Sequence, residues 1–334
     1  MVNFTPERVD ALMNAGTGRR IMVVGDLMID RYLWGHVSRI SPEAPVPIIN
    51  IADEEIRFGG AANVVNNLIE LRAVPVLVGT VGDDSWGSVF RDMLAQKDLS
   101  ADGLIRDPSR PTTLKTRIIG NNQHIARVDR EKVAAIGPQV QQEMLRFIAG
   151  AMPDIDAVIL QDYNKGVMQP ALVQEVIRLA TTHDKQITVD PKFDNFFSYR
   201  GVTVFKPNKK ETEEALALRL DSEVNIRKAG AMLLERLNTR AALITLGDRG
   251  MALFEENGSV AFEGTHARQV ADVSGAGDTV IATITFALAA GATMKEAVSM
   301  ANRAAGVVCE EVGVVPILRD QLVRAILQAQ ESSS

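Results

Sequence analysis

The 334-residue sequence predicts an α/β protein in three layers, with a mostly parallel central sheet, helices on both faces and a small β-rich lid. Three observations predict it. Short β-branched runs alternate with helical stretches, as in a chain that winds strand, helix, strand. Many of the strand runs close on Gly or Asp, at the edge where such sheets hold ligands. Two segments, 31–57 and 112–128, break the alternation and read as the lid.

The elements follow in chain order. Residues 21–24 form an apolar strand ending at Gly25. The 31–57 segment holds three prolines and shows no clear helical period. Gly59 and Gly60 enter a helix over 61–71, and a strand at 76–78 and a helix at 86–96 come next. The 112–128 segment reads as strands around a turn at Gly120-Asn121-Asn122. Helices over 139–148, 171–181 and 226–236 then alternate with strands at 158–160, 187–189, 202–205, 243–246 and 251–254. From 279 the pattern is helical nearly to the end, through 295–311 and 319–328. Residues 1–334 read as a single domain carrying the two lid segments.

Composition narrows the function. Net charge is −6 and pI about 5.4, with no block of Lys and Arg, so nucleic acid is not an expected partner. The one cysteine, Cys309, suits core packing in a reducing cytosol. No secretory signal opens the sequence, and its least polar run is too short to span a membrane. A cytoplasmic protein is expected. The four histidines, His36, His124, His183 and His266, lack the spacing of a zinc site.

Five motifs carry chemistry. In Asp272–Asp278, the small residues Gly275, Ala276 and Gly277 let an anion approach backbone N–H groups at a helix start. A carboxylate beside such a turn fits a base that deprotonates a hydroxyl before it attacks phosphate; Asp278 could also simply cap a core helix. Asp26 and Asp30, four apart after the first strand, could accept from vicinal sugar hydroxyls or cap a turn. Gly60 and Asn63 combine close backbone approach with an amide that both donates and accepts. Asn208 and Glu211 could hold a hydrated Mg2+, form a capping box, or do both. Thr245, Gly247 and Gly250 lie on a turn that could follow a nucleotide or be a plain hairpin. Asp162 and Asp190 end two further strands.

In order and spacing these motifs resemble those of the ribokinase-like (PfkB) family of sugar kinases, over nearly the whole chain. The resemblance implies a ribokinase-like fold with ATP as phosphoryl donor, its phosphates at Gly275, Ala276 and Gly277. It implies Asp278 as base and Mg2+ held mostly through water at Asn208 and Glu211. Asp26, Asp30, Gly60, Asn63 and Asp162 would hold the sugar, while Thr245, Gly247, Gly250 and Asn302 would border the nucleotide. A monovalent cation such as K+ could sit near the turn, although Val273 stands where the family usually has Thr.

Residues 38–47, Asp162-Tyr163-Asn164-Lys165-Gly166 and Asp190-Pro191-Lys192 are similar to the subfamily that phosphorylates D-glycero-β-D-manno-heptose 7-phosphate at C1, towards the ADP-heptose of lipopolysaccharide. No His-x-Gly-His stretch is present, so the stand-alone form of that kinase is expected. The sugar's own phosphate requires cations. Candidates are Lys115, Arg117, Lys192 and, first, Arg127 and Lys165. The exposed lid strands are expected to pair two copies into a homodimer. The alternatives are a kinase for another sugar, such as ribose, a ketohexose phosphate or 2-keto-3-deoxygluconate, and a silent sensor on the same scaffold.

Overall fold

The computed structural model describes residues 2–121, 123–265, 271–311 and 313–331. It opens with α1 (Pro6–Gly16) and β1 (Arg20–Gly25), followed by the long strands β2 (Leu27–Ile40) and β3 (Pro47–Gly60). Then come α2 (Ala61–Glu70), β4 (Val74–Val81), α3 (Ser85–Ala95) and β5 (Leu104–Arg106). The strands β6 (Leu114–Gly120) and β7 (Gln123–Arg130) precede α4 (Pro138–Ala151), β8 (Ala157–Gln161), α5 (Pro170–Thr182) and β9 (Gln186–Asp190). The chain continues through β10 (Val204–Phe205), α6 (Lys209–Leu216), α7 (Glu223–Leu237), β11 (Ala241–Thr245), β12 (Met251–Glu255) and β13 (Val260–Glu263). It closes with α8 (Ala276–Ala289), α9 (Met294–Cys309) and α10 (Arg319–Glu331).

Nine strands form the central sheet in the order β13-β12-β11-β10-β9-β8-β1-β4-β5. The pairings from β11 to β5 are parallel, and β12 and β13 add an antiparallel edge. Alternation along β1 shows why helices must cover both faces. Ile21 and Val23 pack with Val64 and Leu68 of α2, Ile281 and Phe286 of α8, and Leu322 of α10. Met22 and Val24 point the other way, to Met144 of α4, Val173 of α5 and Leu233 of α7. The three-layer expectation therefore holds. From β1 the chain runs outward to β4 and β5, then returns to β8 on the other side of β1. The carboxyl ends of β1 and β8 are thus a switch point, where an open sheet leaves a crevice.

The lid is a separate four-stranded sheet, β3-β2-β6-β7. Its strands pair antiparallel except β2 with β6. They reach further into the body than segments 31–57 and 112–128 anticipate. Leu27, Met28 and Ile29 are buried and pair with Gly60, Gly59 and Phe58, so the sheet starts inside the core and rises out of it. The turn expected at Gly120-Asn121-Asn122 joins β6 to β7, with Asn122 outside the described residues, as is His266.

Some elements differ from expectation. α1, β5 and β13 carry no strong period in the sequence. β10 is shorter than 202–205; ahead of it the Val202 carbonyl accepts from Arg240 N–H and the Thr239 hydroxyl. Among the described residues no helix is long and apolar enough to cross a membrane.

Candidate active site

The turn before α8 takes the form its residues demand. Gly275 is the N-cap with φ of +81°, a left-handed conformation that costs other residues steric strain. Asp272 shapes the turn from below. Its two oxygens accept from Ser274 N–H at 2.9 Å and Gly313 N–H at 3.2 Å. Burial opposes the Asp272 charge, but these bonds outweigh it and hold the carboxyl below its usual range. Val273 is 67% exposed at the mouth of the cleft.

Asp278 lies in the first turn of α8 and is buried. Three donors from distant parts of the chain hold it. The Asn63 amide donates to Oδ2 at 2.7 Å. The Tyr163 hydroxyl donates to Oδ1 at 2.6 Å, and Gln161 Nε2 donates to the same oxygen at 3.1 Å. Burial pushes the Asp278 pKa up to about 6, the Asn63 and Tyr163 bonds pull it down, and nearby Asp190 raises it.

In front of Asp278 opens a cavity of about 620 Å³, bordered by Gly275, Gly277, Asp190, Asn208, Thr245 and Gly247. Four lysines reach it: Lys192, Lys206, Lys209 and Lys210. The size and the cluster of cations suit a polyanionic ligand. Lys206 is buried and pairs with Asp190 at 3.0 Å, and Gln161 links Asp190 to Asp278. Lys192 lies over the Tyr163 ring, 5.8 Å from its centre, and pairs with Glu211 Oε1. Burial works against the Lys192 charge, but Asp190 and Glu211 prevail and raise its pKa.

The capping box is present: Asn208 Oδ1 accepts from Glu211 N–H at 2.9 Å, and Glu211 Oε2 accepts from Asn208 N–H at 2.8 Å. Glu211 therefore has one protein donor on each oxygen. Each oxygen keeps a second lone-pair direction. Among the described residues no group of three or more His, Cys, Asp or Glu could enclose a metal.

One face of the lid turns towards this turn and carries much of the charge. In register across the sheet, Asp30 faces Arg57 and Lys115, Tyr32 faces Glu55 and Arg117, and Arg117 faces Arg127. Arg57 and Arg117 lie over the Tyr32 ring at 5.0 and 5.2 Å, and Arg117 pairs with Asp30. Arg57 also donates to Val314 O at 3.2 Å, fastening the lid beside the turn. Lys165 pairs with Glu131 at 2.8 Å, and Arg127 with Asp129 at 3.0 Å. Burial first, then the Lys165 charge, push the Lys115 pKa down.

With this geometry in hand, comparison with known proteins gives a family. The model described as "pfkB family carbohydrate kinase" matches residues 19–320. The chain belongs to the pfkB family of carbohydrate kinases. Curated relatives include the bifunctional protein HldE of Desulfatibacillum aliphaticivorans, 43% identical over 93% of this chain and 63% of that protein. HldE of Helicobacter pylori strain J99 is 45% identical over 88% of this chain and 64% of that protein. This pfkB-family chain thus spans less than two thirds of the length of these relatives. A solved structure of Arabidopsis thaliana ribokinase with ribose and ATP aligns at TM-score 0.69 and 17% identity, over 93% of this chain and 99% of that one. That likeness shows the ribokinase-like fold.

The sequence-expected residues of this pfkB domain divide into groups. Asp278, Asn63, Gly275, Gly277, Asn208, Thr245 and Gly247 converge on the cleft, with Ala276 starting the helix beside them. Asp30 stands at the lid base, tied to Arg117.

Asp26 has another occupation. Its carboxylate accepts from the backbone N–H groups of Tyr163, Lys165 and Val167, at 2.8, 3.2 and 3.1 Å, and so pins the loop after β8. Asp162 is likewise turned inward, accepting from Asn164 N–H and the Tyr199 hydroxyl at 2.7 Å each. Asn302 donates to Gly264 O at 2.7 Å and ties α9 to the end of β13. Gly60, with φ of +59°, and Gly250, with φ of +81°, are glycines because a side chain would strike the backbone of Asp26 and Glu263.

Sequence reasoning gave no role to Gln161, Tyr163 or Lys206; Tyr163 and Asp190 entered only within the subfamily-like segments 162–166 and 190–192, and Asp190 also as a strand end. For Gln161 and Lys206 the one signal available was position, since Gln161 ends β8 and Lys206 follows β10.

Proposed function

We propose that this chain transfers the γ-phosphoryl group of ATP to the anomeric C1 hydroxyl of D-glycero-β-D-manno-heptose 7-phosphate, giving the 1,7-bisphosphate. The observation that carries it is a buried carboxylate, Asp278, behind a cavity of about 620 Å³ bordered by Gly275, Gly277 and four lysines, with the Arg117–Asp30 pair at the lid base. The subfamily-like segments 38–47, 162–166 and 190–192 favour a heptose phosphate over other sugars, and the relatives named HldE are in keeping with that choice.

In this reading the ATP phosphates lie along Gly275, Ala276 and Gly277, with Lys192 and Lys206 offsetting their charge. Magnesium would be held near Asn208 and Glu211 through water, where it would neutralise phosphate charge. A monovalent cation such as K+ would sit near the Asp272–Asp278 turn, and Mg2+-ATP would be the donor. Asp30, Gly60 and Asn63 bind the sugar. Asp278 takes the hydroxyl proton as the oxygen attacks, and the turn's N–H groups stabilise charge on the transferring group.

The 7-phosphate is read by Lys115, Arg117, Arg127 and Lys165, whose carboxylate partners Asp30, Asp129 and Glu131 hold them until it arrives. Two copies join through their lids, covering the exposed Ile40, Ile51, Ile125 and Val128.

The test is ADP release from Mg2+-ATP with D-glycero-D-manno-heptose 7-phosphate, ribose, fructose 6-phosphate or 2-keto-3-deoxygluconate as acceptor. Turnover at least about a hundredfold greater in kcat/KM with the heptose phosphate is expected, since buried polar groups reject ligands that leave them unpaired. Preference for another acceptor refutes the substrate assignment.

A further inference from the structure

We infer that Tyr163 is a positioning residue for the reacting carboxylate: it fixes Oδ1 of Asp278 so that Oδ2 is presented to the acceptor hydroxyl. This deepens the kinase reading above and rests on Asp278 being the base. The two oxygens of Asp278 are held unequally. Oδ1 accepts two hydrogen bonds, from Tyr163 at 2.6 Å and Gln161 at 3.1 Å. Oδ2 accepts one, from Asn63 at 2.7 Å. A carboxylate oxygen has two good acceptor directions, so Oδ1 is filled and Oδ2 has one left.

Tyr163 is well built to hold still. Its own N–H donates to Asp26, and the Lys165 and Val167 N–H groups of the same loop do likewise. The buried Asp26 carboxylate therefore anchors the tyrosine whose hydroxyl anchors the base. Lys192 covers the outer face of the ring. Burial, followed by the Asp278 charge, raises the phenol's pKa well above its ordinary value, so Tyr163 keeps its proton throughout.

The bonds balance as follows. The acceptor O–H proton passes to Oδ2, the acceptor oxygen bonds to the γ-phosphorus, and the bond to the β-phosphate oxygen breaks to release ADP. Tyr163 gains and loses nothing. It donates to the ionised carboxylate, so removing its hydroxyl favours the protonated, inactive base.

Tyr163→Phe isolates that hydroxyl, since the ring volume and the surface under Lys192 remain. The experiment is the pH profile of kcat/KM for D-glycero-D-manno-heptose 7-phosphate, read as ADP release, for wild type, Tyr163→Phe and Asp278→Asn. In Tyr163→Phe the acid limb is expected to move up by about one pH unit. Turnover at pH 7 should fall at least about twofold from this shift alone, with KM for ATP within about twofold of wild type. An unmoved acid limb overturns the proposal, whether the rate is retained or falls uniformly, because packing alone does not retune a base. Full turnover in Asp278→Asn would instead reject the base on which the proposal rests.

Discussion

Burial lifts the Asp278 pKa to about 6, so at neutral pH the carboxylate is ionised yet still basic enough to accept a proton. The acid limb of the wild-type rate is therefore expected near pH 6, with activity lost as pH falls through it. The same shift bears on stability. A carboxyl raised from an ordinary 3.8 binds protons more tightly in the folded state than in the unfolded one. Stability from this group is full below the unfolded pKa and is lost as pH rises through the folded value of about 6. The ionised Asp278 carboxylate thus costs the fold on the order of 2–3 kcal/mol at neutral pH. Asp278→Asn is expected to melt higher than wild type at pH 7.5, with the gap closing towards pH 4, while turnover drops about 10²–10⁴-fold. A lower melting temperature at pH 7.5, or near-normal turnover, would contradict this.

The helix α8 shows what local sequence can reveal. Small residues at 275–277, one carboxylate and then an apolar run are a local pattern, and they became a left-handed cap, a first-turn acid and a buried helix. Gly275→Ala tests the cap. A Cβ there would sit 3.0 Å from Val314 Cγ1 and 3.3 Å from Asn63 Nδ2, the atom that holds Asp278. A loss of about 1–2 kcal/mol in denaturant unfolding is expected, with a clear fall in turnover; an unchanged midpoint contradicts it.

The residues that hold Asp278 were not legible as such, because Gln161 and Tyr163 lie 117 and 115 residues from it in sequence. Only the fold brings them together. Asp26 was legible as a strand-end acid but not as a loop anchor, since the residue type does not say whether its partner is a sugar hydroxyl or a backbone N–H. α6, by contrast, was half visible, in that its start could be read from the capping box although its extent could not.

For the whole molecule, the alternation of strands and helices made the three layers and the lid readable, because period and breakage of period are properties of long stretches. The lid's pairing was not readable, as β2 joins β6 across the intervening β3, α2, β4, α3 and β5. Its outer strands, β3 and β7, leave two edges open and several apolar side chains exposed. Sedimentation at micromolar concentration is expected to show a dimer that Val128→Glu weakens; a monomer in both would place the lid edges in solvent.

The position of phosphorylation bears most directly on the chemistry. Phosphorus NMR of the product formed from Mg2+-ATP and D-glycero-D-manno-heptose 7-phosphate would read it. A new phosphate resonance coupled to the anomeric proton is expected, beside the unchanged 7-phosphate. A new phosphate on any other carbon, or ATP consumed with no new sugar phosphate, would contradict the proposed reaction.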